Sequence, residues 1–127
     1  MAKHTAKIQV KRIYDSPDSA DGTRVLVDRL WPRGVSKQRA KLALWLKEVA
    51  PTPSLRTWFD HDPARWEEFA RRYRAELAAN ATAVARLGEL LEHGPVTLLY
   101  AAHDTEHNHA LVLGQFMREQ QGRARGE

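Results

Sequence analysis

The sequence predicts an α/β fold in which a small, mainly parallel central sheet of about three strands is flanked by about five helices. Two predominantly apolar runs, 25–27 and 96–102, are typical of strands that are buried on both faces. Between these runs, apolar residues recur at helical spacing. A chain of 127 residues has the size of one domain, so we expect a single α/β domain over 1–127. Its ends, 1–6 and 120–127, are expected to be flexible.

The first predicted strand, 7–14, alternates between apolar and polar residues. Ile8 and Val10 are predicted to face the core, which is typical of a strand with one solvent-exposed side at the edge of a sheet. The next segment, 15–23, is rich in turn-forming residues. It allows either a wide antiparallel hairpin or a crossover into a parallel strand at 24–28, and the sequence does not decide between them.

Two shorter helices are predicted after the first buried strand. Ser36 is predicted to cap a helix from about Lys37, and Ser54 a short helix that ends near Asp60. Pro51 separates the two helices. The first helix is predicted from an apolar stripe that consists of Leu42, Trp45, Leu46 and Val49.

Three longer helices complete the predicted fold. Asp62 is expected to cap a helix over 63–79, on which Glu67–Arg71 and Glu68–Arg72 have the spacing of ion pairs. The next helix, 81–93, is predicted to bury Val84, Leu87 and Leu91. Asp104 or Thr105 is predicted to cap the last helix, which follows the strand at 96–102.

Composition excludes several classes of function. The chain has no cysteine, so disulfides, thiolate nucleophiles and cysteine-bound metal centres are excluded. No apolar run near the start has the length of a signal peptide or membrane span, so we expect a cytoplasmic protein without membrane contact. The net charge of +4 makes nucleic acid an alternative partner, although most arginines share predicted helices with glutamates.

Polar residues follow both buried strands at the points where they end. Asp28, Arg29, Trp31 and Arg33 follow 25–27, and the histidine-rich segment 103–109 follows 96–102. In α/β proteins, ligands bind beyond the carboxyl ends of the strands. The sequence therefore predicts one polar site that the two strand ends form together.

These residue types suggest an anion site with acid–base chemistry. Arg29 and Arg33 are predicted to bind a phosphate or carboxylate group. His107 or His109 would act as general acid or base, with Asp28 orienting it. The other candidate ligand-binding residues are Trp31, Tyr100 and Asn108.

Two function classes remain open at this stage. The first is an enzyme or sensor for a small anionic ligand, phosphorylated or nucleotide-like. The second is a nucleic-acid-binding or protein-interaction module in which Asp28, Arg29 and His107 form a structural network. A zinc site would need three converging ligands, for example His103, His107 and Asp28, but no standard zinc spacing is present. We therefore predict neither a metal nor a cofactor.

Several motifs resemble the YeaO-like branch of the domain-of-unknown-function 488 family, over about residues 7–118. The resemblance implies a small bacterial or archaeal cytoplasmic α/β protein, and the family name assigns no reaction. The motifs that carry it are VKRIYD (10–15), RVLVDRLWPRG (24–34), LWLKEVAP (44–51), HDPARWEEF (61–69) and VTLLYAAHDTEHNHA (96–110).

This chain departs from the pattern of other branches of that family. Those branches have VDVR where this chain has 27–30, and they carry cysteines near the positions of Tyr100 and Asn108. This chain lacks both cysteines, so a thiol-based or cysteine–metal mechanism does not transfer to it. What the resemblance implies for this chain is a pairing of Asp28 and Arg29 with the histidines His107 and His109.

Overall fold

A parallel sheet of four strands forms the centre of the protein. The computed structural model describes residues 7–126, and the segment 1–6, which was expected to be flexible, lies outside the described residues. The α/β class and the parallel sheet are confirmed, and one strand of two residues adds to the three expected. The strands are β1 Ile8–Arg12, β2 Thr23–Leu26, β3 Leu44–Trp45 and β4 Val96–Tyr100, and their order is β1-β4-β2-β3.

Five α-helices flank the sheet. The last helix continues through most of the segment that the sequence predicted to be a flexible tail. Short 3-10 turns occupy Ser19–Asp21, Lys47–Val49 and Pro63–Arg65. The helices are α1 Lys37–Ala40, α2 Pro53–Phe59, α3 Trp66–Ala79, α4 Ala81–Glu92 and α5 His109–Gly126.

The sheet is covered on both faces, as the apolar runs predicted. Successive residues of a strand point to opposite faces. Val25 and Leu98 therefore face the main core with α3, α4 and α5, whereas Leu26 and Leu99 face a smaller cluster on the other side. Buried β4 pairs in parallel with both β1 and β2, so the polar ends of β2 and β4 lie side by side.

The connection between β1 and β2 is a crossover and not a hairpin. Both strands are parallel to β4, which lies between them. The crossover ends at Gly22, whose φ is 65°. A Cβ atom there would lie 2.4 Å from the carbonyl oxygen of Pro95, so only glycine fits this turn.

The predicted helix after Ser36 is wrong beyond its first turn. Ser36 does cap α1, because its Oγ accepts a hydrogen bond from the backbone N–H of Arg39 at 3.1 Å. The helix ends at Lys41, which adopts a left-handed conformation with φ 49°. Leu44 and Trp45 then pair with β2. The backbone hydrogen bonds to β2 decide the structure of this segment, although its apolar residues have the spacing of a helix.

Of the caps predicted for the next two helices, one differs and one is confirmed. The N-cap of α2 is Thr52 and not Ser54, since Thr52 Oγ1 accepts from the N–H of Leu55. The predicted cap Asp62 is confirmed, because its Oδ1 accepts from the N–H of Ala64 at 3.0 Å.

On the outer face of α3, one glutamate serves two arginines. Glu68 pairs with both Arg71 and Arg72, at 2.5 and 2.7 Å, so the predicted Glu67–Arg71 pair does not form. On α4, Ala83 is buried where Val84 was expected, and Val84 packs only against the edge of the core.

Candidate functional site

A cleft of about 490 Å³ opens where β2 and β4 end. One side of it, here called the strand-end wall, is formed by residues 28–30, 101–102 and 107–109. A second part of the lining, here called the α2 wall, is formed by Arg56, Thr57, Asp60 and His61. Phe59 and Phe69 also line the cleft, with ring centroids 4.3 Å apart. The strand-end wall holds five of the predicted site residues, which are Asp28, Arg29, His107, Asn108 and His109.

Asp28 and His109 form the deepest polar contact of the cleft. Asp28 Oδ2 accepts a hydrogen bond from the N–H of Ala101 at 3.0 Å, and this bond joins the ends of β2 and β4. His109 Nε2 donates to the carbonyl oxygen of Val27 at 3.0 Å and lies 3.2 Å from Asp28 Oδ1. Because a carbonyl oxygen only accepts, Nε2 carries the proton, and Nδ1 is the second ring nitrogen.

The buried Oδ1 of Asp28 makes no hydrogen bond among the described residues. Nε2 of His109 lies 3.2 Å from this oxygen. The side chains of His109 and Asp28 are 16% and 18% exposed, so the contact is largely shielded from water.

His107 lies before α5 and not in its first turn, which corrects the predicted cap. α5 begins at His109, and Asn108 caps it by accepting from the N–H of Leu111 at 3.1 Å. Asp104 instead caps the preceding turn, where it accepts from the N–H groups of Glu106 and His107. This placement resolves how both histidines reach one cleft, since only His109 belongs to the helix.

Asp104 also holds the ring of His107. Asp104 Oδ2 lies 2.9 Å from His107 Nδ1, so Nδ1 donates and Nε2 is the second ring nitrogen. The N–H of Glu106 and then the His107 side chain hold the pKa of Asp104 below its usual range. Asp104 is therefore ionised near neutral pH and keeps one tautomer of His107.

Arg29 is fixed to the wall of the cleft by main-chain oxygens. Its Nε and Nη2 donate to the carbonyl of Pro51 at 3.3 and 3.2 Å, and Nη2 also donates to that of Ala50 at 3.1 Å. The ion pairs in the described part of the chain involve neither Arg29 nor Arg56. Both positive charges in the cleft thus lack a carboxylate partner.

Three predicted site residues lie outside the cleft. Trp31 packs edge-on against Trp45 at 5.3 Å on the other side of the sheet, and its Nε1 donates to the carbonyl of Val35. Arg33 is exposed, and its carbonyl accepts from the hydroxyl of Tyr14. Tyr100 is buried in the main core, and burial raises its pKa. The predicted contact of these three side chains with a ligand is therefore not supported.

The α2 wall was missed by the sequence analysis. Arg56 lies on α2, and Asp60 and His61 form the turn that ends it, with φ values of 49° and 53°. In the sequence, this segment gave only helix-end signals. Aspartate and histidine both tolerate a left-handed backbone, and their succession at 60–61 was the one local sign of an unusual turn.

Over residues 7–126, no group of three or more histidine, aspartate or glutamate side chains is placed to hold a metal ion. Within the same range, none of the helices combines the length and apolar character needed to cross a membrane.

Comparison with known proteins places the chain in a family. It is 44% identical to the uncharacterized protein YeaO of Escherichia coli strain K12 over 111 residues, which cover 87% of this chain and 96% of that protein. It is 42% identical to an uncharacterized protein of Mycobacterium tuberculosis strain H37Rv over 111 residues, which cover 87% and 93%. No solved structure matches. A family model described as the inactive DUF488-N3 subclade matches residues 7–127, so the chain belongs to the DUF488 family.

Proposed function

We propose that this protein is a sensor that binds a small anionic, phosphorylated or nucleotide-like ligand in the cleft. The fixed guanidinium of Arg29 carries the proposal. Carbonyl oxygens hold one edge of it, and no carboxylate in the described part of the chain neutralises it. A planar guanidinium that is held in place and unpaired is suited to bind a phosphate group.

Binding without turnover agrees best with the family to which the chain belongs. The matched subclade is described as inactive. Asp28, His107 and His109 were predicted as acid–base residues, and in the proposed sensor the two histidines contact the ligand while Asp28 positions His109. Analysis of the ligand after incubation checks this point, because a changed ligand would restore the enzyme hypothesis.

Arg29→Met is expected to weaken sulfate binding at pH 6 by about tenfold or more, because charge-assisted hydrogen bonds contribute ~1.5–3 kcal/mol. Sulfate, phosphate, nucleotides and sugar phosphates are screened first by thermal shift. A ligand at ~100 times its dissociation constant stabilises the fold by ~2.7 kcal/mol. Each variant is compared with its own ligand-free unfolding temperature, since the substitution also removes bonds to Ala50 and Pro51.

Arg33→Met is the matched control for this experiment. It removes the same charge from an exposed position outside the cleft. Equal losses of affinity in both variants would mean that the anion responds only to net charge, and the proposed site would be wrong. If none of the anions stabilised the wild type, the proposed site would also be wrong.

A double variant, His107→Gln with His109→Gln, tests the contribution of the histidines on the strand-end wall. Two arginines and two aspartates line the cleft, so their formal charges cancel and the anion needs further polar contacts. Glutamine keeps a hydrogen-bonding side chain but lacks the imidazole ring, so the double variant should bind sulfate more weakly than the wild type in titrations at constant ionic strength. An unchanged affinity in the double variant would contradict the role given to these histidines.

The alternative functions receive less support from the same structure. The arginines on the outer face of α3 pair with Glu68, and Arg74 pairs with Glu119, so α3 does not present an unpaired basic face to nucleic acid. A purely structural network would be closed and fully buried. Arg29 and His107 are instead partly exposed on the wall of an open cleft.

A further inference from the structure

We propose that the segment 33–47, here called the basic segment, binds the phosphate backbone of a nucleic acid at a surface separate from the cleft. The segment holds five of the 20 lysines and arginines of the chain and none of its 16 aspartates and glutamates. Outside it, 15 cations and 16 acids remain, so the net charge of +4 arises entirely in this segment. Cations that follow one another without acids are typical of surfaces that bind nucleic acid. The five cations are Arg33, Lys37, Arg39, Lys41 and Lys47.

These five side chains are exposed, and no carboxylate neutralises them. None of the ion pairs over 7–126 involves them, whereas the ion pairs on α3 engage Arg71, Arg72 and Arg74. Lys47 lies over the ring of Trp45 instead, with its Nζ 4.6 Å from the ring centroid. The charge of the basic segment is therefore available to an anionic partner, which distinguishes this surface from α3.

The fold places this charge on one side of the sheet. Ala40 lies in the smaller apolar cluster with Leu26 and Leu99. Val35 and Leu42 pack against the same cluster, so the apolar side chains of the basic segment face the sheet while its cations are exposed to solvent. The helices α3, α4 and α5 cover the opposite face. The basic segment therefore forms an outer surface of its own.

Side chains from the neighbouring strands hold the backbone of the basic segment in place. The hydroxyl of Tyr14 donates to the carbonyl of Arg33 at 2.9 Å. Nε and Nη2 of Arg24 donate to the carbonyl of Ala40 at 3.0 and 2.8 Å. These bonds engage carbonyl oxygens and leave the cationic groups of the segment to solvent. A backbone that is already ordered lowers the entropy cost of binding a partner.

A nucleic acid fits this surface better than a small anion or a membrane does. None of the five cations lines the cleft, and a small anion would contact only a few of them. A polymer that carries a phosphate at each step can contact them together. Peripheral membrane binding combines charge with buried apolar side chains. The large apolar side chains that are exposed over 7–126, Tyr14 and Leu30, lie outside the basic segment.

The test measures by fluorescence anisotropy how the affinity for a labelled DNA duplex of mixed sequence depends on salt. Each phosphate contact contributes about −0.9 to the slope of log K against log salt concentration, so five contacts predict a slope of about −4.5. A triple variant, Lys37→Gln with Arg39→Gln and Lys41→Gln, should reduce the magnitude of this slope by about 3. It should also bind the duplex more weakly at low salt.

The matched control removes three exposed arginines from the opposite side of the sheet, as Arg71→Gln with Arg86→Gln and Arg123→Gln on α3, α4 and α5. Each triple variant lowers the net charge of +4 by the same three charges. The control should keep the slope of the wild type. Both variants should unfold near the urea concentration of the wild type, because the replaced side chains are exposed. An equal fall of the slope in both variants would overturn the proposal.

The remaining outcomes separate nucleic acid from other polyanions and from the cleft. If the wild type binds neither the duplex nor a single DNA strand at low salt, the proposal is wrong. Equal affinity for polyglutamate, or binding to anionic vesicles without binding to DNA, would also overturn it. The proposed anion cleft is tested independently, since Arg29→Met should keep the salt slope, and the triple variant of the basic segment should bind sulfate like the wild type.

Discussion

Asp21→Asn is expected to lower the free energy of unfolding by about 3–5 kcal/mol, the largest effect of any single substitution considered for this protein. Asp21 is 2% exposed and lies between two cations. Its Oδ2 is 2.6 Å from Arg24 Nη1, and Lys11 Nζ is 3.0 Å from Oδ1. Asparagine would leave the guanidinium of Arg24, itself 5% exposed, without a counter-charge in the interior. Urea unfolding at pH 7 measures the difference.

The control is a carboxylate of similar contacts on the surface. Glu68 also pairs with two cations, but Arg71 and Arg72 are 72% and 48% exposed. Water screens such pairs, so Glu68→Gln should leave the urea midpoint almost unchanged. A loss in Glu68→Gln as large as that in Asp21→Asn would show that burial is not the cause.

The effect of Asp21 is also expected to depend on pH. Burial raises the pKa of Asp21, but hydrogen bonds from Lys11, from the N–H of Asp18 and from Arg24 outweigh burial and lower it below its usual range. A carboxyl whose pKa is lowered by folding stabilises the fold above its unfolded pKa of ~3.9. That contribution is lost as the pH falls through the lower folded value. The difference between wild type and Asp21→Asn should therefore be constant from pH 5 to 7 and shrink below pH 4.

The sheet and one wall of the cleft could be predicted from the sequence. The run 25–27 is apolar throughout and 96–102 is apolar apart from Thr97, which indicates strands buried on both faces of a parallel sheet. Parallel strands have their carboxyl ends at one edge, so Asp28 and the segment 107–109 had to lie near each other. Successive side chains of a strand point to opposite faces of the sheet, and this alternation explains why Tyr100 does not reach the cleft. Tyr100 shares a face with Val96 and Leu98 and is therefore buried in the core.

The remaining parts depend on contacts between distant residues. β3 forms because Leu46 N–H donates to the carbonyl of Leu26, and Trp45 Nε1 donates to that of Asp28, contacts that helical spacing cannot reveal. The α2 wall depends on how Asp60 and His61 turn the chain back towards the sheet. Arg24 has a structural role of the same kind, because it donates to Asp21 and to the carbonyl of Ala40.

Asp28→Asn is expected to lower the free energy of unfolding by about 1–3 kcal/mol and to weaken sulfate binding at pH 6. The Asp28 carboxylate faces two donors, the N–H of Ala101 and Nε2 of His109. An amide has one oxygen, so in either orientation its NH₂ group faces a donor at a buried position. His109 also loses the carboxylate beside its ring, so the ring is no longer held in one position at the cleft. Urea unfolding and sulfate titration measure the two effects.

Asp60→Asn separates the positioning role of Asp28 from its charge. Asp60 lines the same cleft, and its exposed carboxylate makes no hydrogen bond over residues 7–126. Removing a negative charge from the cleft should by itself favour an anion, so Asp60→Asn should bind sulfate as tightly as the wild type or more tightly. If Asp28 acted through charge alone, Asp28→Asn would show the same gain. Opposite changes in the two variants would mean that Asp28 holds the His109 ring in the position that contacts the anion, and a gain in both would exclude that role.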